Sequence, residues 1–377
     1  MRTLLEWTRA RTPEMAALLR ALVAIESPST DAQGVAALAE KVGRELAGLP
    51  LDVELLAVLG AGPILRARTP ADERRRIMLL GHLDTVWPLG TVLARPPRVE
   101  GDRLYGPGAF DMKAGLTVVV FALRVLAGRG PLPPLTVFFT PREEVDCAPY
   151  RELMEAEMRA STAVLDFEPA WPGGAVKTQR KGSGSFVLRA IGCAAHAGAD
   201  FEKGRNAIRE LARRIEEVSA LTDRDAGVTV NVGVVRGGIR PNVVPERAEA
   251  EIDLRYRRML DGQRAEAALR ALRPSLDGVR LELEGGLHYP PLERTPQVVA
   301  VYETARRAAE EMGLPLPETS TGGASEASFA AALGLPTLDG LGADGDGAHA
   351  EHEHVLIPSL PERAAIAAGL IQRLTPP

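Results

Sequence analysis

Three short stretches of the chain, Ile77 to Leu80, Leu135 to Thr140 and Thr162 to Phe167, are apolar over most of their length, and helix-length segments such as Lys113 to Ala127 lie between them. Strands without a polar side must be covered on both faces. A chain that alternates such strands with helices meets that need by building a mainly parallel sheet with helices packed on either side. Pro336 to Leu341 and Pro361 to Leu374 read as a last strand and a closing helix of the same kind, so the end of the chain is expected to return to this sheet.

At 377 residues the chain is longer than the roughly 250 to 300 residues at which a single core stops growing. Its rhythm changes in the middle. Ala248, Ala250, Ile252 and Leu254 alternate with Glu249, Glu251, Asp253 and Arg255, and Val228, Val230, Val232 and Val234 alternate likewise, the pattern of strands wetted on one face. Ile208, Leu211, Ile215 and Val218 fall at helical spacing just before them. The expected architecture is therefore α/β. A first domain runs over 1–177 and resumes over 287–377, and an inserted α+β domain occupies 178–286, with the glycine pairs Gly173-Gly174 and Gly285-Gly286 near its ends.

Charge narrows the choice of partners. Lys plus Arg total 45 against 50 Asp plus Glu, a net charge of −5, and no basic cluster is interleaved with aromatics, which speaks against nucleic acid and anionic membrane as partners. No apolar stretch approaches the roughly 20 residues that cross a bilayer. Met1 to Ser27 carries Glu6, Glu14 and Glu26 among its apolar residues, so it reads as an amphipathic helix rather than a signal peptide. Cys147 and Cys193 lack the spacing of metal ligands, and a cytoplasmic location is expected.

Chemistry-bearing residues follow the apolar runs. Gly81-His82-Leu83-Asp84-Thr85 comes directly after the first. Residues i and i+2 of a strand share a face, so Asp84 can hydrogen-bond one ring nitrogen of His82 and leave the other for a metal; a simple His-Asp pair in a turn is the plainer alternative. Asp111, in the glycine-rich stretch Tyr105 to Gly115, suits either an N-cap or a carboxylate bridging two cations. Glu143 and Glu144 follow the second run and point to opposite sides of extended backbone, so one can bind metal while the other takes a proton. Glu168 ends the third run, and His349 lies in the loop after Pro336 to Leu341. Parallel sheets gather ligand sites at the carboxyl ends of their strands, where these residues fall.

These residues resemble the co-catalytic zinc hydrolases of the aminoacylase and glutamate carboxypeptidase group, which also includes the desuccinylase of lysine biosynthesis and several dipeptidases. The resemblance rests on His82-Leu83-Asp84-Thr85, Gly106-Pro107-Gly108-Ala109-Phe110-Asp111-Met112-Lys113, Glu143-Glu144, Glu168-Pro169 and His349, in the family's order, and covers nearly the whole chain. Val86 to Thr91 and Val99 to Tyr105 look most like the glutamate carboxypeptidase branch. The resemblance implies two zinc ions per chain, with manganese or cobalt admitted by the same nitrogen and oxygen ligands. One would be held by His82, Asp111 and Glu168, the other by Asp111, Glu144 and His349, with Asp111 bridging. Asp84 would orient His82, and Glu143 would be the general acid and base. Of the three histidines in His349 to His354, His349 matches the family position and His352 is the alternative.

The inserted domain is, by the same resemblance, a dimerisation or lid domain. It implies a homodimer in which His196 reaches the partner's site and polarises the scissile carbonyl. Asn242 and Arg255 would bind the substrate's carboxylate, and Gly323 would lie in a loop lining the pocket. Pro141-Arg142 and Glu326 depart from the family's usual residues near that pocket, which leaves substrate preference open. The implied activity is cleavage of an amide bond beside a free carboxylate in a small peptide or N-acyl amino acid, by a carboxypeptidase of the glutamate type. The alternatives are an N-acyl amino acid deacylase acting on acetyl or succinyl groups and a non-catalytic binding protein on the same fold.

Overall fold

A computed structural model describes residues 1–70 and 75–375. Contacts divide the chain into two units, one of Met1–Thr178, Arg294–Ser320 and Leu333–Pro377, the other of Gln179–Glu293 and Thr321–Ala332. The second stretch of the second unit is not anticipated by a single insertion. It is tied in by Arg180, which donates to the carbonyls of Gly323 and Ala324, and by the Lys181 amide, which donates to Thr321.

The first unit is built on a six-stranded sheet in the order Asp52–Leu56, Ile64–Arg68, Leu135–Thr140, Arg76–His82, Ser161–Asp166, Thr337–Leu338. The last four run parallel and the first two are antiparallel additions at one edge. Leu135–Thr140 is buried at every position because both faces are covered. The helix Ala114–Ala127 is apolar nearly all round and packs on the closing helix Ser359–Leu374. Gly115 lets its first turn approach the sheet, since a Cβ there would lie 2.0 Å from the Phe167 carbonyl. The N-terminal segment forms two helices, Arg2–Arg9 and Thr12–Val23, not the single one expected, because Pro13 has no N–H to continue a helix and instead opens the second. Among the described residues no helix is long and apolar enough to cross a membrane.

A smaller sheet in this unit, ordered Gly345–Asp346, His354–Leu356, Arg103–Tyr105, Arg98–Glu100, brings two loops together. One carries Asp111 and the other His349. The approach to the second loop is braced by Arg363, buried on the closing helix, which donates to the carbonyls of Gly342 at 2.7 Å and Gly174 at 3.0 Å and also to that of Gly340. Burial pulls this guanidinium down to about 10. Arg363→Met leaves the buried carbonyls of Gly340 and Gly342 without that donor and is expected to remove about 3 kcal/mol of stability, read as a lower urea midpoint for the first unit's unfolding.

The second unit holds an antiparallel sheet ordered Thr229–Gly237, Arg247–Tyr256, Gly182–Ile191, Arg280–Tyr289. Ala248, Ala250, Ile252, Leu254 and Tyr256 are buried on one face, against the helices Ala207–Ser219 and Met259–Arg270. The alternating sequence pattern and the one-sided packing are the same fact.

Candidate active site

Three adjacent strands of the first unit release their polar residues at one edge. His82 ends Arg76–His82, Glu143 and Glu144 follow Leu135–Thr140, and Glu168 follows Ser161–Asp166. His82 is buried, and its Nδ1 lies 3.0 Å from the main-chain carbonyl of Asp84. A carbonyl only accepts, so Nδ1 carries a hydrogen, and in the neutral ring Nε2 has the lone pair free for a metal. Nε2 stands 3.2 Å from Asp111 Oδ1 and 3.3 Å from Glu168 Oε1. His349 Nε2 stands 3.3 Å from Asp111 Oδ2 and 3.2 Å from Glu144. Asp111 thus turns one oxygen to each histidine. Glu143 sits beside them, with a carboxylate oxygen within 4.8 Å of the ligand atoms of His82 and Glu168.

This arrangement fits cations. Atoms that share a tetrahedral zinc at about 2.0–2.1 Å lie about 3.3 Å from one another, the spacing each histidine keeps from its carboxylates. His349 also adopts φ 62°, the left-handed region that a residue other than glycine enters rarely and most often at functional sites. The same carboxylates hold protons on the imidazoles. Hydrogen bonds to Asp111 and Glu144 raise His349 to about 10. Burial opposes charge on His82, yet the carboxylates of Asp111, Asp84 and Glu168 hold it well above the usual imidazole range. Burial also opposes ionisation of Asp111, but His349 and His82 keep it far below the usual carboxylate value. Burial raises Glu144.

The sign of the pH dependence follows. Metal uptake needs neutral imidazoles and must expel the proton that His349 holds up to about pH 10, so apparent affinity should rise with pH up to about 10, roughly tenfold per unit for each proton released. Calorimetric metal titrations at pH 7 in buffers of different ionisation enthalpy should show about two protons leaving per chain. A pH-independent affinity would contradict this.

Asp84 acts differently from the expected His-Asp hydrogen bond. Its carboxylate lies 3.4 Å from His82 Nδ1 and instead accepts from the amides of Glu143 at 3.0 Å and Glu144 at 3.2 Å, and from the Ser29 hydroxyl at 2.6 Å. It holds the Glu-Glu pair by its backbone and the imidazole by its carbonyl. Ser29, buried, reaches it because Pro28 and Thr85 bridge as extended backbone. Nothing in the sequence near Ser29 announces this contact.

The other expected residues lie in the second unit, in two groups. His196 pairs with Val243 across a two-stranded ladder, and the neighbouring Ala197 amide donates to the Asn242 carbonyl. His196 Nδ1 accepts from the amides of Gly198 and Ala199, both at 3.1 Å, which leaves Nε2–H as an exposed donor. Arg255 stands at the far end of the sheet, paired with Ser183 and Thr229, while the His196 end adjoins Ile191 and Arg247. Eight residues of strand separate these ends by about 26 Å. Within one chain Asn242 and Arg255 therefore stand too far apart to grip the same carboxylate. Gly323 belongs to the Arg255 end, through Lys181 and Thr321. Arg255 is itself held by Asp253, at 2.9–3.1 Å.

A covered parallel sheet with nitrogen and oxygen donors gathered at its strand ends is the arrangement of a metal centre. The sequence pattern described as peptidase family M20/M25/M40 matches residues 78–373, and the chain belongs to that family. Carboxypeptidase G2 of Pseudomonas sp. strain RS-16 is 30% identical over 384 residues, covering 97% of this chain and 91% of that protein. The succinyl-diaminopimelate desuccinylase of Xanthomonas euvesicatoria pv. vesicatoria is 29% identical over 321 residues, covering 79% and 83%. Among solved structures, the aminopeptidase PepT of Bacillus cereus superposes with a TM-score of 0.79 at 22% identity over 96% of this chain and 98% of that one. The metallo-carboxypeptidase Sso-CP2 of Sulfolobus solfataricus gives 0.72 at 18% identity over 96% and 98%. The chain is an enzyme that hydrolyses amide bonds.

Proposed function

We propose that the protein is a two-zinc carboxypeptidase of the glutamate type, which cleaves an amide bond beside a free carboxylate and releases the C-terminal amino acid of a dipeptide or N-acyl amino acid. The observation that carries this reading is Asp111 set between two histidines, one oxygen to each. His82, Asp111 and Glu168 would hold one cation, and Asp111, Glu144 and His349 the other. A bound pair supplies Lewis acidity, polarising the scissile carbonyl and acidifying the attacking water.

The chain's own groups do the rest. A Glu143 carboxylate oxygen accepts the water's proton and passes it to the departing amine. Asp84 fixes the backbone from which Glu143 projects. His196 Nε2–H is a donor suited to a developing oxyanion, and the Arg255 guanidinium to a substrate carboxylate. Because Asn242 and His196 share one end of their unit and Arg255 the other, we propose that the substrate is gripped by two chains of a homodimer, His196 and Asn242 coming from the partner of the chain that supplies Arg255. Its two cysteines, one in each unit, ask for no oxidising compartment, and the proposal places the enzyme in the cytoplasm.

The test is a panel of N-acyl-glutamates and dipeptides set against acetyl-amino acids and succinyl-diaminopimelate, run with zinc, manganese and cobalt, together with metal analysis. Two ions per chain with a preference of tenfold or more for the glutamate series supports the proposal. Preference for acetyl or succinyl substrates makes the enzyme a deacylase, and bound metal with no turnover on any of them makes it a binding protein.

A further inference from the structure

Glu353 is one of two acidic residues of the His349 to His354 stretch to which neither the motif nor the proposed chemistry gives work, and the buried one. Its side chain is buried beside the site. Oε1 accepts from the amides of Phe110 at 2.9 Å and Asp111 at 3.0 Å; Oε2 accepts from the Gly108 amide at 2.8 Å and the Trp87 indole at 2.7 Å. Its own amide donates to Ala350 at 3.0 Å, one residue past His349, and its carbonyl accepts from Gly106 at 3.3 Å. One residue therefore ties the loop that carries His349 to the loop that carries Asp111.

We propose that Glu353 is a positioning residue that holds Asp111 and His349 in register for the cation they share, a role that rests on the two-cation reading above. A carboxylate is costly to bury unless its lone pairs are filled, and here four N–H donors converge on it. An amide in its place offers one oxygen and turns an NH2 group toward donors, so the loop under Asp111 must shift. The carboxylate also adds negative charge behind Asp111, which favours cations at the site. Lys113, buried with its ammonium donating to the Ile25 carbonyl, is a counter-charge to it. His349 is the only non-glycine with positive φ among the described residues. Such a conformation persists only where its surroundings enforce it, and Glu353 is part of that surround.

The experiment strips the wild type, Glu353→Gln and Trp87→Phe with a chelator, then titrates each with Zn2+ in competition with a chromophoric chelator to obtain two dissociation constants. The wild type should take two ions. Glu353→Gln should weaken one of them by about ten- to a hundredfold and the other much less, so that the ratio of the constants widens. Constants that match the wild type overturn the proposal. Equal weakening of both also overturns it, since that is what general loosening produces. Fewer than two ions on the wild type overturns the two-cation reading itself, and this proposal with it. If Glu353→Gln does not fold, Trp87→Phe decides: it removes one of the four donors and should widen the ratio about three- to tenfold. An unchanged ratio there rejects the role.

Discussion

Replacing Glu143 by alanine is expected to lower turnover by at least several powers of ten while both metal ions stay bound. The Glu143 amide is anchored on Asp84, so loss of the side chain leaves the neighbouring Glu144 backbone where it was. Glu144 faces His349, whereas Glu143 lies on the side of His82 and Glu168. That proximity allows a rival role, in which Glu143 is itself a ligand. The two roles separate cleanly. A proton carrier that is removed lowers kcat with little change in KM and none in metal content, because it acts on the reacting atoms and not on the ground state. A removed ligand lowers metal content first. Steady-state kinetics beside elemental analysis of the same sample distinguishes them, and activity within tenfold of the wild type would reject Glu143 as the base. Several powers of ten is the scale to expect, since one group handles the proton twice, on attack and on departure of the amine.

The site was legible in the sequence where a polar residue follows an apolar run. His82, Glu144 and Glu168 lie side by side because three strands that must be buried stop where those residues begin, and neighbouring parallel strands stop at the same edge. The alternation around Ala248 to Leu254 revealed the second sheet in the same way. What stayed hidden is contact with backbone. Asp84 and Glu353 spend their carboxylates on amides, and an amide is present at nearly every position, so no residue type marks the partner. Ser29 was missed because only the fold brings it 55 positions across to Asp84. That Arg255 and Asn242 stand at opposite ends of one sheet was hidden because sequence order does not measure the length of sheet between them. The break between the first two helices was visible in Pro13, but the amphipathic pattern on both sides of it concealed a stop.

Asp111→Ala is expected to abolish binding of both metal ions and, with them, hydrolysis. His82 and Glu168 form one partial cage and His349 and Glu144 another, and both are completed by the same carboxylate, which supplies Oδ1 to the first and Oδ2 to the second. Every other ligand belongs to one cage only, so no other single substitution should reach both. Asp111→Asn sharpens the point, because an amide keeps the shape but has one oxygen and one NH2, and a cation is repelled by the latter. This variant should hold at most one ion per chain, at least a hundredfold more weakly, with activity down by four powers of ten or more. The metal-free proteins provide an independent readout. His349 is raised to about 10 by Asp111 first and Glu144 second, so removing Asp111 should bring its titration, followed by the NMR shifts of the ring protons, back toward about 6.5. His82 should fall in the same direction. Two ions still bound to Asp111→Ala, or a His349 titration that does not move, would show that the bridging geometry does not govern the site.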